Sequence, residues 1–347
     1  MVLFLYVTFY LFALYAEGLP QRNKRYWLMA TCLVLAFIAG NRGESLGADT
    51  AVYIDSFVNY TPSISELTQY SMPYGYAEMG FFYIGVIIKT FTSNEIVYLF
   101  IIALLSLLLM YRAFNKYCLF PMLGICTYIS RFFVARNCAQ IRAGLAYAFI
   151  LLAVQYITNR DWKRYFALVF VAYFFHHSAL IAVPLYFLCM IDIKKKHIVI
   201  GTIIAFIIAA FYSNVIRSMV ADSVSDLTVM DETYIQAEYQ RDWGLANPMI
   251  YFQTFLLFVY TFTEERMRQT TSHYIAIRNA YFYSTLLLIV LSCYTALSGR
   301  VSSQFATLEM VIIPSIAYSF MKKDRWIAYL GMGVALTAIF YLNNVAK

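Results

Sequence analysis

Cationic and imidazole side chains occur within long apolar segments of this sequence, where lipid would exclude them. Arg136 and Arg142 lie six residues apart in one region, and His176 and His177 are adjacent in the next apolar segment. An uncompensated cation at bilayer depth costs about 2.5–3.5 kcal/mol on insertion scales, so these side chains should face protein or a wet cavity. Residues of these types are suited to binding anions and transferring protons. We therefore interpret the region 131–178 as the floor of an active site.

The composition indicates an integral membrane protein. Of the 347 residues, 62% are hydrophobic and only 13% are charged, and the mean hydropathy is +0.64. A soluble domain of this length needs a more polar surface. Backbone polar groups in lipid must be paired within their own segment, and no alternating pattern indicates a barrel, so we predict an all-α bundle. The simplest organisation is a single polytopic transmembrane domain over residues 1–347.

The net charge of +7 does not indicate a nucleic-acid partner once the charges are placed along the chain. Sixteen of the 26 lysines and arginines follow apolar segments in short clusters. Such clusters mark cytoplasmic loops under the positive-inside rule. They are Arg22, Lys24, Arg25, Arg112, Lys116, Arg160, Lys163, Arg164, Lys194, Lys195, Lys196, Arg266, Arg268, Lys322, Lys323 and Arg325.

The apolar segments predict about twelve transmembrane helices. Segment Met79–Phe91 is too short for a span, which needs about 20 residues, so we interpret it as a re-entrant or half-helix segment. Both chain termini then lie outside the cytoplasm, and external loops run over 41–77 and 213–247. The predicted spans are 2–16, 26–40, 95–113, 118–135, 141–158, 164–180, 180–191, 197–213, 248–263, 278–298, 302–320 and 326–343.

The two external loops carry local patterns. Ser63 and Glu66 have the spacing of a capping box, which predicts a short surface helix. In loop 213–247, apolar residues recur at helical spacing among carboxylates. This predicts an amphipathic helix at the outer interface, either a cover for the bundle or a lid. The chain has no Asp-x-Asp or His-Glu-x-x-His motif, so we expect no metal ion or other cofactor.

Six short motifs, in order along the chain, resemble those of a known family. They are Asn41-Arg42-Gly43; Gly47-Ala48-Asp49-Thr50 followed by Tyr53; Glu78-x-Gly80-Phe81; Arg136 through Gln140-Ile141-Arg142; Phe175-His176-His177-Ser178; and Gly299-Arg300. The ordered set resembles the EpsG family, Wzy-like bacterial polymerases of O-antigen, capsular and exopolysaccharide repeat units. Where that family often has Ile-Arg-Gln, this chain has Ile141-Arg142-Ala143, and its histidine is doubled.

The resemblance implies a glycosyltransferase of the bacterial plasma (inner) membrane with a GT-C-like fold. Such enzymes transfer a growing glycan from polyprenyl (undecaprenyl) pyrophosphate onto a sugar hydroxyl of a lipid-linked repeat unit, on the periplasmic or extracytoplasmic side. Preorganised arginines would stabilise the charge that grows on the leaving pyrophosphate. A chain-length regulator is a candidate partner. The implied substrate-binding residues are Arg136, Arg142, Arg300, Arg42, Gln140, Glu78 and Tyr53, with Tyr74, Tyr76 and Tyr234 as further candidates for sugar stacking.

The acceptor hydroxyl also needs a proton acceptor, for which His177, His176 and Asp49 are the candidates. The register of the following Ser178 favours His177, and only one of the two imidazoles can face the cavity, because one residue turns a helix by about 100°. Asp49 is either a rival base or the ion-pair partner that orients Arg42.

Arg136 and Arg142 can cooperate only if the helix breaks between them, near 137–138, since a spacing of six residues on a continuous helix points the two side chains about 120° apart.

Other charged residues in apolar segments have more ordinary interpretations. Arg131 could contact pyrophosphate or pair with a carboxylate. Lys89 is expected to snorkel, and Arg278 to join a cytoplasmic loop.

Alternative functions remain open from the sequence alone. A related lipid-carrier enzyme, either an O-antigen ligase or a polyprenyl-phosphate-sugar glycosyltransferase, would use similar residues. A flippase for lipid-linked sugars also needs a cationic cavity, although the internal repeats that usually accompany transport are not evident.

Overall fold

The computed structural model describes residues 1–43, 46–47, 49–69, 78–216, 218–219, 243–321 and 323–345, and these residues are helical or irregular throughout. π-Helical turns occur at Ser56–Tyr60 and Val134–Ala139, and 3-10 helices at Ile64–Gln69, His177–Ala182 and Gly244–Ala246. The predicted helical class is confirmed. The α-helices are α1 (Val2–Glu17), α2 (Gln21–Gly40), α3 (Thr50–Asp55), α4 (Met79–Phe91), α5 (Glu95–Tyr117), α6 (Pro121–Arg131), α7 (Ile141–Thr158), α8 (Trp162–Phe175), α9 (Val183–Met190), α10 (Lys195–Phe211), α11 (Pro248–Phe262), α12 (Glu264–Met267), α13 (Tyr274–Val290), α14 (Thr295–Ala306), α15 (Glu309–Ser319) and α16 (Arg325–Asn344).

Three of the described helices, α5, α7 and α16, are long and apolar enough to cross a membrane. Further apolar helices have 10–17 residues, among them α1, α4, α11, α13 and α15. The chain is therefore a helical membrane protein, and the number of about twelve spans stays a prediction. Several predicted spans are interrupted: 118–135 divides into α6 and a π-helical turn, and 302–320 divides between α14 and α15.

The candidate residues gather at one end of the bundle. Helix α2 begins beside Arg22 and ends beside Arg42, whereas α7 begins at Arg142 and ends beside Arg160. Helix α8 ends beside His176. An α-helix rises about 1.5 Å per residue, so the two ends of α7 are about 27 Å apart. We call the end with Arg42, Arg142 and His176 the site end, and the opposite end the basic end.

Helix α4 has both of its ends near the site end. Gly80, at its start, lies so close to Phe174 that a Cβ atom would sit 2.8 Å from the Phe174 carbonyl oxygen. Lys89, at its other end, donates from Nζ to the carbonyl oxygens of Phe57 (3.2 Å) and Val58 (2.7 Å). The ammonium group of Lys89 thus pairs with carbonyls of a π-helical turn, and its snorkelling stays a prediction. This arrangement fits a segment that does not cross the membrane.

The capping interaction predicted in loop 41–77 is confirmed in part. The Ser63 amide donates to Glu66 Oε2 (3.0 Å), and the Ser63 hydroxyl donates to the same oxygen (2.8 Å). These hydrogen bonds lower the pKa of the exposed Glu66 carboxyl. They begin the 3-10 helix Ile64–Gln69. Most of the amphipathic helix predicted in 213–247 lies outside the described residues, as do Tyr74, Tyr76 and Tyr234.

Arg278 was predicted to join a cytoplasmic loop, but it lies within a helix. It is buried within α13, and its Nη2 donates to Asp192 Oδ1 (3.0 Å) and to the Ile193 carbonyl oxygen (2.8 Å). The guanidinium group thus connects α13 to the turn that precedes α10. A helical arginine is stable there because a carboxylate and a carbonyl meet its donors at the basic end.

Candidate active site

A break in the helix places Arg136 and Arg142 on separate segments. Arg136 lies on the π-helical turn Val134–Ala139, Gln140 has non-helical dihedral angles (φ −102°, ψ 60°), and Arg142 lies in the first turn of α7. The turn folds tightly onto α7 at Gly144, where a Cβ atom would sit 2.2 Å from the Arg136 carbonyl oxygen. A break between the two arginines is therefore present, at Gln140 rather than at the predicted 137–138, and Gly144 allows the close approach of the two segments.

Arg136 is a buried cation held by neutral groups. Its Nη1 donates to Gln140 Oε1 (2.9 Å), its Nη2 donates to Ser303 Oγ, and its Cζ lies 4.4 Å from the centroid of the Tyr147 ring. Only 4% of the residue is exposed, and its Nε atom has no hydrogen-bond partner. No carboxylate in the described part of the chain pairs with it. A buried charge in this state is costly unless an anion joins it.

Arg131, one turn earlier, is neutralised within the protein. Its Nε and Nη2 donate to the two oxygens of Glu309 at 2.7 and 3.0 Å, and Tyr281 Oη donates to Glu309 Oε1 at 3.0 Å. Of the two roles predicted for Arg131, the carboxylate pair is the one observed. The sequence analysis missed Glu309, although a lone carboxylate in the predicted span 302–320 is a signal for a partner of opposite charge.

Arg142 belongs to a second group, formed with Glu78 and Tyr53. Its Nη1 donates to Glu78 Oε2 at 2.6 Å, and its Cζ lies 5.8 Å from the centroid of the Tyr53 ring. Burial raises the pKa of the Tyr53 phenol, so this side chain stays protonated and can donate. The group combines a cation, a carboxylate and a phenol, which is a polar surface suited to hydroxyl groups.

Arg42 connects the segment that follows α2 to the π-helical turn. It donates to the Ala39 carbonyl oxygen (2.6 Å) and to Thr50 Oγ1 (3.2 Å), and the Thr50 hydroxyl donates to the Cys138 carbonyl oxygen (3.2 Å). Of the two roles predicted for Asp49, the ion pair with Arg42 is not observed among the described residues: Arg42 Nε and Nη1 donate to a hydroxyl and a carbonyl oxygen, and Nη2 has no hydrogen-bond partner. The half-buried Asp49 precedes α3 without capping it through its side chain.

The two histidines differ in their burial and their neighbours. His176 is half-buried, and its ring lies 6.3 Å from the ring of Tyr147, on which the Arg136 guanidinium group packs. His177 is exposed, with its ring 4.8 Å from that of Tyr173. The register argument favoured His177, but His176 is the imidazole beside Tyr147 and therefore the nearer of the two to the Arg136 group.

Hydrogen bonds determine the tautomer of His176. The Ser178 amide donates to His176 Nδ1 (3.2 Å), and Ser178 Oγ lies 2.6 Å from the same atom. Because Nδ1 accepts a backbone N–H, the neutral ring carries its proton on Nε2 and presents a donor there. Ser178 Oγ also lies 3.0 Å from Tyr147 Oη, so a chain of hydroxyl groups joins His176 to the ring under Arg136.

A cavity of about 380 Å³ opens beside Arg136 between the π-helical turn, α11 and α14. Arg300 and Gln140 line it with Arg136, so these three predicted residues come together. Arg142, Glu78, Tyr53, Asp49, Arg42 and both histidines are not among its lining residues. Its volume lies at the lower end of the ~300–1,000 Å³ typical of ligand pockets. Across the described residues, no group of three or more His, Cys, Asp or Glu side chains could hold a metal ion.

Comparisons with known proteins agree with the motif analysis. The chain is similar to the amylovoran biosynthesis protein AmsC of Erwinia amylovora, with 21% identity over 299 residues, 83% of this chain and 77% of the relative. No solved structure matches it. The model of the EpsG family matches residues 25–347, nearly the whole chain. The chain therefore belongs to the EpsG family, whose members are polysaccharide polymerases.

Proposed function

We propose that this protein transfers a growing glycan from a polyprenyl-pyrophosphate donor onto a lipid-linked repeat unit at the outer face of the plasma membrane. The observation that supports this most directly is Arg136, a buried guanidinium group with only neutral partners among the described residues, on the wall of a cavity that Arg300 also lines. A pyrophosphate in that cavity would supply the anionic charge that the protein does not provide there.

The reaction exchanges one bond at the anomeric carbon for another. A hydroxyl oxygen of the acceptor sugar bonds to C1 of the donor's first sugar, and the bond from C1 to the pyrophosphate oxygen breaks. The lipid pyrophosphate leaves with the electron pair, and the hydroxyl proton passes to a base. Arg136 and Arg300 stabilise the charge on the leaving group, as donors fixed before the reaction do in other enzymes.

The second group of residues is assigned to the acceptor. Arg142, Glu78 and Tyr53 offer donors and acceptors for sugar hydroxyls, and they do not line the cavity beside Arg136. Asp49 is the proton acceptor in this proposal, because His176 Nδ1 is occupied and its Nε2 carries the proton. His176 then donates from Nε2 to a substrate oxygen that gains negative charge.

The distribution of basic residues supports an outer location for the site. Arg22 and Arg160 lie at the basic end, and Arg42 and Arg142 lie at the site end. Basic clusters favour the cytoplasmic side. The cavity therefore faces the outer leaflet in this proposal, where lipid-linked units can reach it from the membrane.

Reconstitution with one purified lipid-linked repeat unit tests the proposal. We expect the protein in liposomes to produce a ladder of polymers with EDTA present, and Arg136→Ala to remove the ladder at matched insertion. Arg22→Ala, at the basic end, is the matched control and should keep it. Translocation without a ladder would contradict the proposal in favour of a flippase. A strict requirement for a divalent cation would contradict the metal-independent transfer.

A further inference from the structure

Gln253 is a polar side chain on the cavity wall to which the proposed mechanism assigns no role. Gln253 lies on α11 and lines the cavity together with Arg131 and Arg136. Only 2% of the residue is exposed, and its Oε1 atom is buried without a hydrogen-bond partner. Most buried side-chain polar atoms in folded proteins have a partner, so an orphaned amide beside a cavity points to a ligand.

The position of Gln253 places this amide in the interior part of the cavity. Helix α11 starts at the site end, where Asn247 accepts a hydrogen bond from the Met249 amide and also lines the cavity. Gln253 follows Asn247 by six residues, about 9 Å along the helix axis towards the basic end. Gln253 thus lies further from the site end than Asn247 does.

A phosphate ligand alone does not satisfy this site. The guanidinium groups of Arg136 and Arg300 only donate hydrogen bonds, which suits the oxygens of a pyrophosphate diester. Such a diester has no hydrogen to give to Gln253 Oε1. A ligand that carries hydroxyl or amide N–H groups directly next to its pyrophosphate satisfies both sets of atoms. A sugar linked through C1 to pyrophosphate has this chemistry.

We infer that Gln253 binds the sugar attached directly to the pyrophosphate of the donor, and so determines which reducing-end sugar the enzyme accepts. The inference rests on the proposed function and identifies the residue that recognises the sugar of the donor. A cavity of about 380 Å³ has a volume suited to a headgroup and a single sugar rather than a whole glycan. The remaining sugars then extend from the cavity towards the site end.

A binding comparison with two lipids tests the inference. The probes are undecaprenyl pyrophosphate without sugar and the lipid-linked repeat unit, each titrated onto the protein in nanodiscs. We expect Gln253→Leu to weaken binding of the repeat unit about tenfold, the effect of one well-placed hydrogen bond, and to leave binding of undecaprenyl pyrophosphate unchanged. Arg136→Met should weaken both. Gln155→Leu, the same substitution on α7 outside the cavity, should weaken neither.

Equal affinities of wild type and Gln253→Leu for the repeat unit would overturn the inference, as would an equal loss for both lipids. Gln253→Asn provides a second variant that keeps an amide but withdraws it by one methylene group, and we expect it to show the same selective loss. The readout is binding, so it remains informative if the wild type forms no ladder. If Gln253→Leu selectively loses binding of the repeat unit but the wild type makes no polymer ladder, the sugar site stands and the polymerase function is rejected. If the wild type makes a ladder but Gln253→Leu shows no selective loss of binding, the polymerase function stands and the sugar site is rejected.

Discussion

The stability of the protein should fall when Arg131 is replaced and stay nearly unchanged when its neighbour Arg136 is replaced. Both line the same cavity, but Arg131 forms a bidentate pair with Glu309, and Arg136 has neutral partners among the described residues. Methionine keeps much of the length and volume of either side chain. The comparison of Arg131→Met with Arg136→Met therefore isolates charge.

The expected magnitudes follow from these partners. Arg131→Met leaves the fully buried Glu309 without its counter-ion, and breaking a buried pair in this way costs about 3–5 kcal/mol. Arg136→Met gives up hydrogen bonds to a charged group, each worth about 1.5–3 kcal/mol, but also removes a desolvation penalty of several kcal/mol. Gln140 and Ser303 line the cavity and can then bind water. We expect a net change within about 1 kcal/mol of zero.

The assay is the apparent midpoint of thermal unfolding in one detergent, measured beside polymerisation. Arg131→Met should lower the midpoint clearly, whereas Arg136→Met should keep or raise it and still lose activity. The double variant Arg131→Met with Glu309→Leu is the control, because removal of both charges should recover most of the lost stability. Equal destabilisation by the two single variants would refute the view that the Arg136 charge is uncompensated in the protein and is neutralised by a bound anion.

Two further predictions concern the residues around the cavity. His176→Gln should retain more activity than His176→Ala, since an amide N–H can replace the Nε2 donor, and His177→Ala should stay close to wild type. Initial rates at matched protein levels measure these differences. Equally inactive His176→Gln and His176→Ala variants would indicate that His176 acts as a base instead. Glu78→Gln removes the anion from the 2.6 Å pair with Arg142, so both the apparent midpoint and the polymerisation rate should fall. Unchanged values would remove this pair from the acceptor site.

The sequence was informative where a charged side chain in an apolar segment had to face protein or a wet cavity rather than lipid. The cost of a cation in the bilayer was enough to single out Arg136 and Arg142, and helical geometry was enough to require a break between them. The family motifs added Arg300, which lines the cavity, and Glu78, which pairs with Arg142. In each case a local rule carried the prediction.

The orientation of the histidines could not be predicted by the same rules. A helical register was assumed through the pair, but His176 has extended dihedral angles (φ −162°, ψ 124°) and a 3-10 helix starts at His177. The rotation of about 100° per residue does not apply across such a junction. The side chain that lies inside is therefore set by the junction and by Ser178.

Gln253 and Glu309 were missed for a different reason. Each lies on a helix far along the chain from the motif residues, and its importance comes from packing α11, α14 and α15 around the π-helical turn. A glutamine in an apolar segment has no spacing signal of its own. Only the three-dimensional arrangement shows that Glu309 pairs with Arg131 and that Gln253 Oε1 has no hydrogen-bond partner.

Filling the cavity without altering a charged or catalytic group tests the central claim most directly. A Cβ atom at Gly299, on the cavity wall, would meet nothing within 4 Å, and the same is true of the exposed Gly331 on α16. Phenylalanine is a better helix former than glycine at either site, so neither substitution should impair folding. We predict that Gly299→Phe abolishes the polymer ladder in the reconstituted reaction, whereas Gly331→Phe preserves it. A ladder of normal length and yield from Gly299→Phe would contradict a reaction in this cavity.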